Sequence, residues 1–246
     1  MGKGKRKRKP ETLCVYCGVM AVCTDEHVIP KCLFPKVSLP SKSEFMIIPV
    51  CRPCNASKAK DDSYIRDWFA IHSLSNDNSN VQAMRRTAFR SYMKNWSDLL
   101  RTLLPKGPTV DGLQTIRVVL ASRFDLAISP EEKQILRFFK MLTRGLSWKV
   151  FEERLPNDCC FDIIRHDEQT FQESRRYLLD IGGKGPYFIG EGIFNYVCYA
   201  NKNIGASLWS MCFFENVYIR VEAGPKHFFE CLEELAKAGA SSRAPG

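Results

Sequence analysis

Two pairs of cysteines near the N-terminus constrain this 246-residue chain more than any other feature. Each pair encloses two residues, and 33 residues separate the first pair from the second. The spacing within a pair lets both thiolates bind one ion, and two pairs supply the four ligands of a tetrahedral zinc site. The sequence therefore predicts a structural Zn²⁺ site whose ligands are Cys14, Cys17, Cys51 and Cys54.

The other cysteines bear on the choice of ligands and on the cellular location of the chain. Cys23 and Cys32 lie between the pairs, and either could replace a ligand, but neither belongs to a C-x-x-C pair, so the paired set is favoured. The total of 11 cysteines is odd, which argues against a secreted disulfide framework. No apolar stretch approaches the roughly 20 residues that span a bilayer. We therefore expect a cytoplasmic protein with no membrane partner.

Chemically active residue types lie beside the second pair and between the two pairs. Glu26 and His27 lie between them, and Asn55 and Lys58 follow the second pair. The pattern predicts a β-hairpin that leads into the second cysteine pair, followed by a helix to about Ile71. Zinc would hold the start of this helix, where backbone N–H groups favour phosphate, close to the strand that carries His27. An imidazole can take a proton from water, and carboxylate and amide oxygens suit Mg²⁺, so the pattern favours metal-assisted phosphodiester cleavage.

The residues from 11 to about 72 resemble the HNH endonuclease family, which has a ββα-metal fold. Three motifs carry the resemblance, and they occur in this order: Cys14-x-x-Cys17, then Glu26-His27-Val28-Ile29-Pro30, then Pro49-Val50-Cys51-x-x-Cys54-Asn55-x-x-Lys58.

The resemblance implies a role for each motif residue. His27 would be the general base that activates water, and Glu26 and Asn55 would bind the catalytic cation, Mg²⁺ or Mn²⁺. Lys58 would lie near the phosphate. The sequence departs from the family pattern around Met46, where many members have an Asn that helps to hold the loop bearing the base.

The distribution of charge favours a polyanionic partner. The formal net charge is +9, and residues 1–10 contribute six basic residues and no acidic one. Residues 71–150 contain 13 basic and six acidic residues. Lysine and arginine gain affinity by releasing counterions from phosphates, so the tail and the middle region fit nucleic acid. A solubilising tail and a solvated helix face would give the same composition.

The rest of the chain carries no recognisable chemistry and is expected to be a mixture of helices and strands. Helices are predicted over 80–104, from Ser129-Pro130 to Gly145, over 149–154, over 167–181 and from Pro225 onward. Residues 187–200 and 206–222 are rich in aromatic and β-branched types and flank a turn at 201–205, which predicts a long antiparallel hairpin.

The sequence thus predicts an α+β protein with four segments. They are a disordered basic tail (1–10), an HNH nuclease domain (11–75), a mainly helical basic middle region (76–150) and a C-terminal α+β domain of unknown role (151–246). The predicted activity is metal-dependent hydrolysis of DNA, most readily double-stranded DNA, by a chain that could form a homodimer. Two alternatives stay open: a non-catalytic zinc module that binds nucleic acid, and a nuclease that acts on RNA.

Overall fold

The computed structural model describes residues 10–35, 45–72, 78–94 and 130–230. The helices are α1 (Arg52–His72), α2 (Ser79–Lys94), α3 (Pro130–Phe151) and α4 (Glu168–Asp180), and Lys31–Leu33 form a short 3-10 turn. The strands are β1 (Thr12–Leu13), β2 (Met20–Ala21), β3 (Cys23–His27), β4 (Ile47–Cys51), β5 (Cys160–His166), β6 (Lys184–Ile189), β7 (Phe194–Asn201), β8 (Ala206–Phe213) and β9 (Val217–Gly224). The chain therefore mixes helices with antiparallel sheets.

The N-terminal strands bring the two cysteine pairs together. Strands β1 and β2 form a short hairpin that begins just before Cys14. Strand β3 pairs with β4 in antiparallel register, with Cys23 opposite Cys51 and His27 opposite Ile47. Helix α1 begins directly after Cys51, with no intervening loop. The predicted pair of strands and the helix that follows it are thus present, and α1 extends to His72, close to the predicted end.

The C-terminal strands form one antiparallel sheet in the order β5-β9-β8-β7-β6. Helix α4 covers one face, where Phe171 packs against Tyr218 of β9. The opposite face meets the long helices, since Phe213 of β8 stacks on Phe69 of α1 and contacts Phe139 of α3. Side chains alternate along each strand, so the sheet has two distinct faces. Helix α4 covers one face, and α1 and α3 cover the other.

Two predictions for this half of the chain are wrong in detail. The aromatic segments after residue 183 form four strands rather than one two-stranded hairpin, although the turn at 201–205 lies where it was predicted. Helix α3 begins at Pro130, as predicted, but it passes through Gly145 and ends at Phe151, so the separate helix over 149–154 does not exist. Strand β5 was not foreseen.

A shared core joins the two halves of the described chain. Phe69 of α1, Phe138 of α3 and Phe213 of β8 all belong to one cluster of buried side chains. An ion pair ties α1 to α3, because the guanidinium of Arg137 donates two hydrogen bonds, of 2.6 and 2.5 Å, to the carboxylate of Asp61. Asp61 is fully buried. Helix α3 is therefore tied to α1, the helix that begins at the second cysteine pair.

Several sequence predictions fall outside the part of the chain that the structure describes. They are the basic tail up to residue 9, most of the basic middle region and the end of the final helix, of which residues 226–230 are helical. The domain boundaries at 75 and 150 stay predictions. No helix among the described residues is long and apolar enough to cross a membrane.

Candidate metal centre and the adjoining polar cluster

The four paired cysteines form a compact cluster. The Sγ atoms of Cys14, Cys17, Cys51 and Cys54 all lie within 4.8 Å of one another, and the atoms of Cys17 and Cys51 are 3.7 Å apart. Four sulfurs bound at 2.3 Å around one tetrahedral zinc ion would be about 3.8 Å apart. The cluster therefore has the dimensions of a site for a metal such as zinc.

Backbone hydrogen bonds favour the thiolate form of Cys14 in this cluster. The amide of Cys51 donates to Sγ of Cys14 at 3.3 Å. Burial raises the pKa of the Cys14 thiol, but the backbone hydrogen bonds from Cys17 and Cys51 outweigh that effect and bring the pKa down to about 7. Burial raises the pKa of Cys54 above its ordinary value. A bound cation favours the thiolate form, so loading the cluster would release protons.

The two unpaired cysteines of this region lie outside the cluster and have other partners. The thiol of Cys23 donates to the carbonyl oxygen of Thr12 at 3.5 Å, and that of Cys32 donates to the carbonyl oxygen of Asp62 at 3.3 Å. Burial raises the pKa of Cys32 to about 12, which keeps this thiol protonated. The ligand set favoured from spacing is therefore the one that the fold assembles.

Beside the cysteine cluster, polar side chains of β3 face the first turns of α1. The amide nitrogen Nδ2 of Asn55 donates to Oγ1 of Thr24 at 2.9 Å, a bond that does not use the oxygen Oδ1. One turn further along the helix, the ammonium of Lys58 contacts Oε1 of Glu26 at 2.9 Å. Glu26, Asn55 and Lys58 thus lie together, as expected from the predicted hairpin and helix, and form what we call the polar layer. Their carboxylate and amide oxygens are donors that suit a hard divalent cation.

His27 lies at the end of β3, beside this layer. Neighbouring residues of a strand point to opposite faces, so His27 leaves the strand on the side opposite to Glu26. Its ring packs edge-on against Phe45, with the ring centroids 5.1 Å apart. The carbonyl oxygen of Met46 accepts a hydrogen bond from the amide of Val28 at 2.9 Å. Backbone and aromatic contacts from the Phe45–Met46 segment therefore hold the loop that bears His27.

Burial and the nearby ammonium of Lys31 lower the pKa of His27, and Lys58 contributes in the same direction. Glu26 and Asp25 oppose this effect without reversing it. This shift favours the neutral imidazole at neutral pH. A neutral imidazole is the form that can accept a proton.

Lys58 occupies a different environment from the one expected of a phosphate contact. Its side chain is 1% exposed, and its ammonium also contacts both carboxylate oxygens of Asp62, at 2.9 and 3.1 Å. Sequence reasoning missed Asp62, although its position four residues after Lys58 on a predicted helix is the spacing of an ion pair. Burial raises the pKa of Asp62 to about 6, because desolvation outweighs the attraction of Lys58.

No protein-family model matches the chain, and no curated protein and no solved structure matches it either. The case for a function therefore depends on the cysteine cluster and on the polar layer that the cluster holds against the start of α1.

Proposed function

We propose that this chain is a metal-dependent endonuclease of the HNH type that hydrolyses DNA phosphodiester bonds. His27 is the general base, and Glu26 and Asn55 are ligands of the catalytic cation, Mg²⁺ or Mn²⁺. One observation carries the proposal: side chains of Glu26 in β3 and Asn55 in α1 lie in one polar layer beside the four-cysteine cluster, and His27 follows Glu26 at the end of the same strand. Carboxylate, imidazole and amide are the side-chain types that this reaction needs.

The base and the cation ligands have separate tasks. His27, held neutral by burial and by Lys31, takes a proton from the attacking water. Glu26 belongs to β3 and Asn55 to α1, and each would offer an oxygen donor to the cation. The cation, when bound, supplies positive charge to the scissile phosphate and to the leaving oxygen. The cysteine cluster supports folding and takes no part in the chemistry, because four thiolates leave no open position on a tetrahedral ion.

The start of α1 suits a phosphate group. The first turn of the helix contains no acidic residue, and Asn55 belongs to this turn. The helix dipole attracts anions at such an end. We propose double-stranded DNA as the substrate, with the basic tail and basic middle region adding sequence-independent affinity. The ten described cysteines are free thiols, which fits a cytoplasmic protein.

A second candidate is a zinc module that binds nucleic acid without cleaving it. The ion pair between Glu26 and Lys58 favours this reading, because the carboxylate expected to bind a cation already has a cationic partner. This candidate predicts salt-sensitive binding that does not change with Mg²⁺.

Incubation of the zinc-loaded chain with supercoiled plasmid separates the two candidates. The proposal predicts nicked or linear products with Mg²⁺ or Mn²⁺ and none with EDTA added just before the assay. Binding in a gel-shift experiment without any product, under every cation, would contradict the nuclease and support the binding module. A parallel reaction on a structured RNA of the same mass concentration decides between DNA and RNA as the preferred substrate.

A further inference from the structure

The ammonium of Lys58 lies between two carboxylates that come from different elements. It is 2.9 Å from Oε1 of Glu26 in β3 and 2.9 Å from Oδ2 of Asp62 in α1. Lys58 is almost fully buried, while the side chains of Glu26 and Asp62 are 13% and 17% exposed. The buried ammonium of Lys58 therefore contacts both carboxylates. Solvent reaches this point only along the partly exposed side chains of Glu26 and Asp62.

The charge of this cluster is not balanced by Lys58 alone. Two carboxylates and one ammonium carry a formal charge of −1 when ionised. The neighbouring Asp61 is engaged by Arg137, so that guanidinium does not offset the excess. The cluster therefore attracts a cation more strongly than it attracts a phosphate, which explains why Lys58 in this position is poorly suited to bind the substrate.

The oxygen donors of α1 lie on the same face of the helix as Lys58. Asn55, Lys58 and Asp62 are spaced at i, i+3 and i+7, so they share one face of the helix, and Glu26 lies across from the middle one. A divalent cation at the position of the ammonium would have carboxylate oxygens on two sides and the amide oxygen of Asn55 one turn away. Hard cations prefer such all-oxygen sets.

We propose that Asp62 is a further ligand of the catalytic cation and that the ammonium of Lys58 competes with this cation for the carboxylates of Glu26 and Asp62. The inference rests on the cation site of the proposed function. An ammonium and a divalent cation held at these same oxygens repel each other, so they compete for the carboxylates. Lys58 thus keeps the carboxylates paired until a divalent cation displaces it.

If Lys58 and the divalent cation compete, loss of Lys58 should raise the affinity for the cation, and loss of Asp62 should lower it. We would titrate Mn²⁺ into the zinc-loaded full chain by calorimetry and compare wild type with Lys58→Met and Asp62→Asn. Lys58→Met should bind Mn²⁺ at least about tenfold more tightly, since it removes the competing charge and keeps an apolar side chain in the buried position. Asp62→Asn should weaken binding by about 10–100-fold, as loss of a metal-site carboxylate does.

Asp67→Asn is the matched control. Asp67 lies on the same helix, is mostly buried and pairs with Arg66 rather than with Lys58. It should leave Mn²⁺ affinity unchanged. Zinc content and thermal unfolding of each variant show whether it is folded. If Lys58→Met does not fold, Lys58→Gln replaces it, and Asp62→Asn remains decisive by itself.

The outcomes separate this inference from the proposed function. Wild-type affinity in Asp62→Asn, or unchanged or weaker affinity in a folded Lys58 variant, would overturn the competition even if wild type cleaves DNA. Absence of Mn²⁺ binding in both wild type and the Lys58 variant would overturn it as well. If the affinities change as expected while wild type cleaves no nucleic acid, the cation site stands and the nuclease assignment fails.

Discussion

A methyl group added at Gly145 of α3 would lie 2.8 Å from Cγ1 of Val28, the residue that follows His27. The same Cβ would be 3.1 Å from Cγ2 of Val28 and 3.4 Å from Cδ1 of Ile48. Helix α3 therefore approaches the loop after β3 so closely that only glycine fits. The contact connects the C-terminal half of the chain to the segment that carries the proposed base.

Replacement of this glycine should destabilise the fold. Gly145→Ala forces a buried valine to move, and overpacking of this kind costs about 1–3 kcal/mol. Urea unfolding followed by tryptophan fluorescence measures the change, with Lys149→Ala, at an exposed position of the same helix, as the control. Equal midpoints for Gly145→Ala and wild type would show that α3 does not pack as described.

The ion pair between Asp61 and Arg137 should matter more than an exposed pair. Arg137→Ala leaves a fully buried carboxylate without its guanidinium, and since Arg137 itself is 44% exposed, the loss should be about 1–3 kcal/mol. The double variant Asp61→Leu/Arg137→Met should recover most of that loss, because it removes both charges. Lys202→Ala, which breaks the exposed pair with Glu153, should change the free energy of unfolding by less than about 1 kcal/mol. Similar losses for Arg137→Ala and Lys202→Ala would contradict the buried geometry.

The cysteine cluster gives a direct prediction about metal content. Cys14→Ser should abolish stoichiometric zinc binding and unfold the N-terminal strands, because binding and folding are coupled in small sites of this kind. Cys23→Ser should keep both the zinc and the fold, since Cys23 lies outside the cluster. Elemental analysis and far-UV circular dichroism test both variants. Zinc retained by Cys14→Ser and lost by Cys23→Ser would reverse the assignment of the ligands.

The parts of the fold that local spacing controls could be predicted from the sequence. The cysteine pairs, the strands they follow and the start of α1 all depend on neighbours a few residues apart. The start of α4 is similar, because Asp167 accepts a hydrogen bond from the amide of Thr170 at 2.8 Å, as a helix cap does. Glu26, Asn55 and Lys58 could be expected close together because the second cysteine pair joins β4, the partner of β3, to the start of α1.

The remaining features depend on tertiary contacts that spacing does not reveal. Gly145 suggested the end of a helix, but its role is close packing against Val28. The turn between β8 and β9 was missed because Phe214 and Glu215 adopt positive φ values of 53° and 59°, which glycine and asparagine usually supply. The pairing of Lys58 with Glu26 could not be assigned either, since it depends on how β3 lies on α1.

The environment of His27 predicts how cleavage should depend on pH. Burial and Lys31 lower the pKa of His27 from its ordinary value of 6.5, so activity should persist below pH 6.5 and fall where the imidazole becomes protonated. Lys31→Gln removes a positive charge beside the ring and should move this acid limb to higher pH. Single-turnover rates over a pH series measure the limb, with the exposed Lys60→Gln as the control.

An acid limb at the same pH in wild type and Lys31→Gln would show that His27 is not the group that titrates. A limb shifted by Lys60→Gln as much as by Lys31→Gln would have the same meaning, because Lys60 is not among the main causes of the His27 shift.

The central claim is that His27 activates water for phosphodiester cleavage, and the single-turnover rate of plasmid nicking by His27→Ala tests it most directly. The zinc-loaded variant, with saturating Mn²⁺, should be slower than wild type by about 10²–10⁴-fold, the usual contribution of a general base. It should keep its zinc and its unfolding midpoint, and His227→Ala, at an exposed histidine, should cleave like wild type. A His27→Ala variant that nicks plasmid at the wild-type rate would contradict the account.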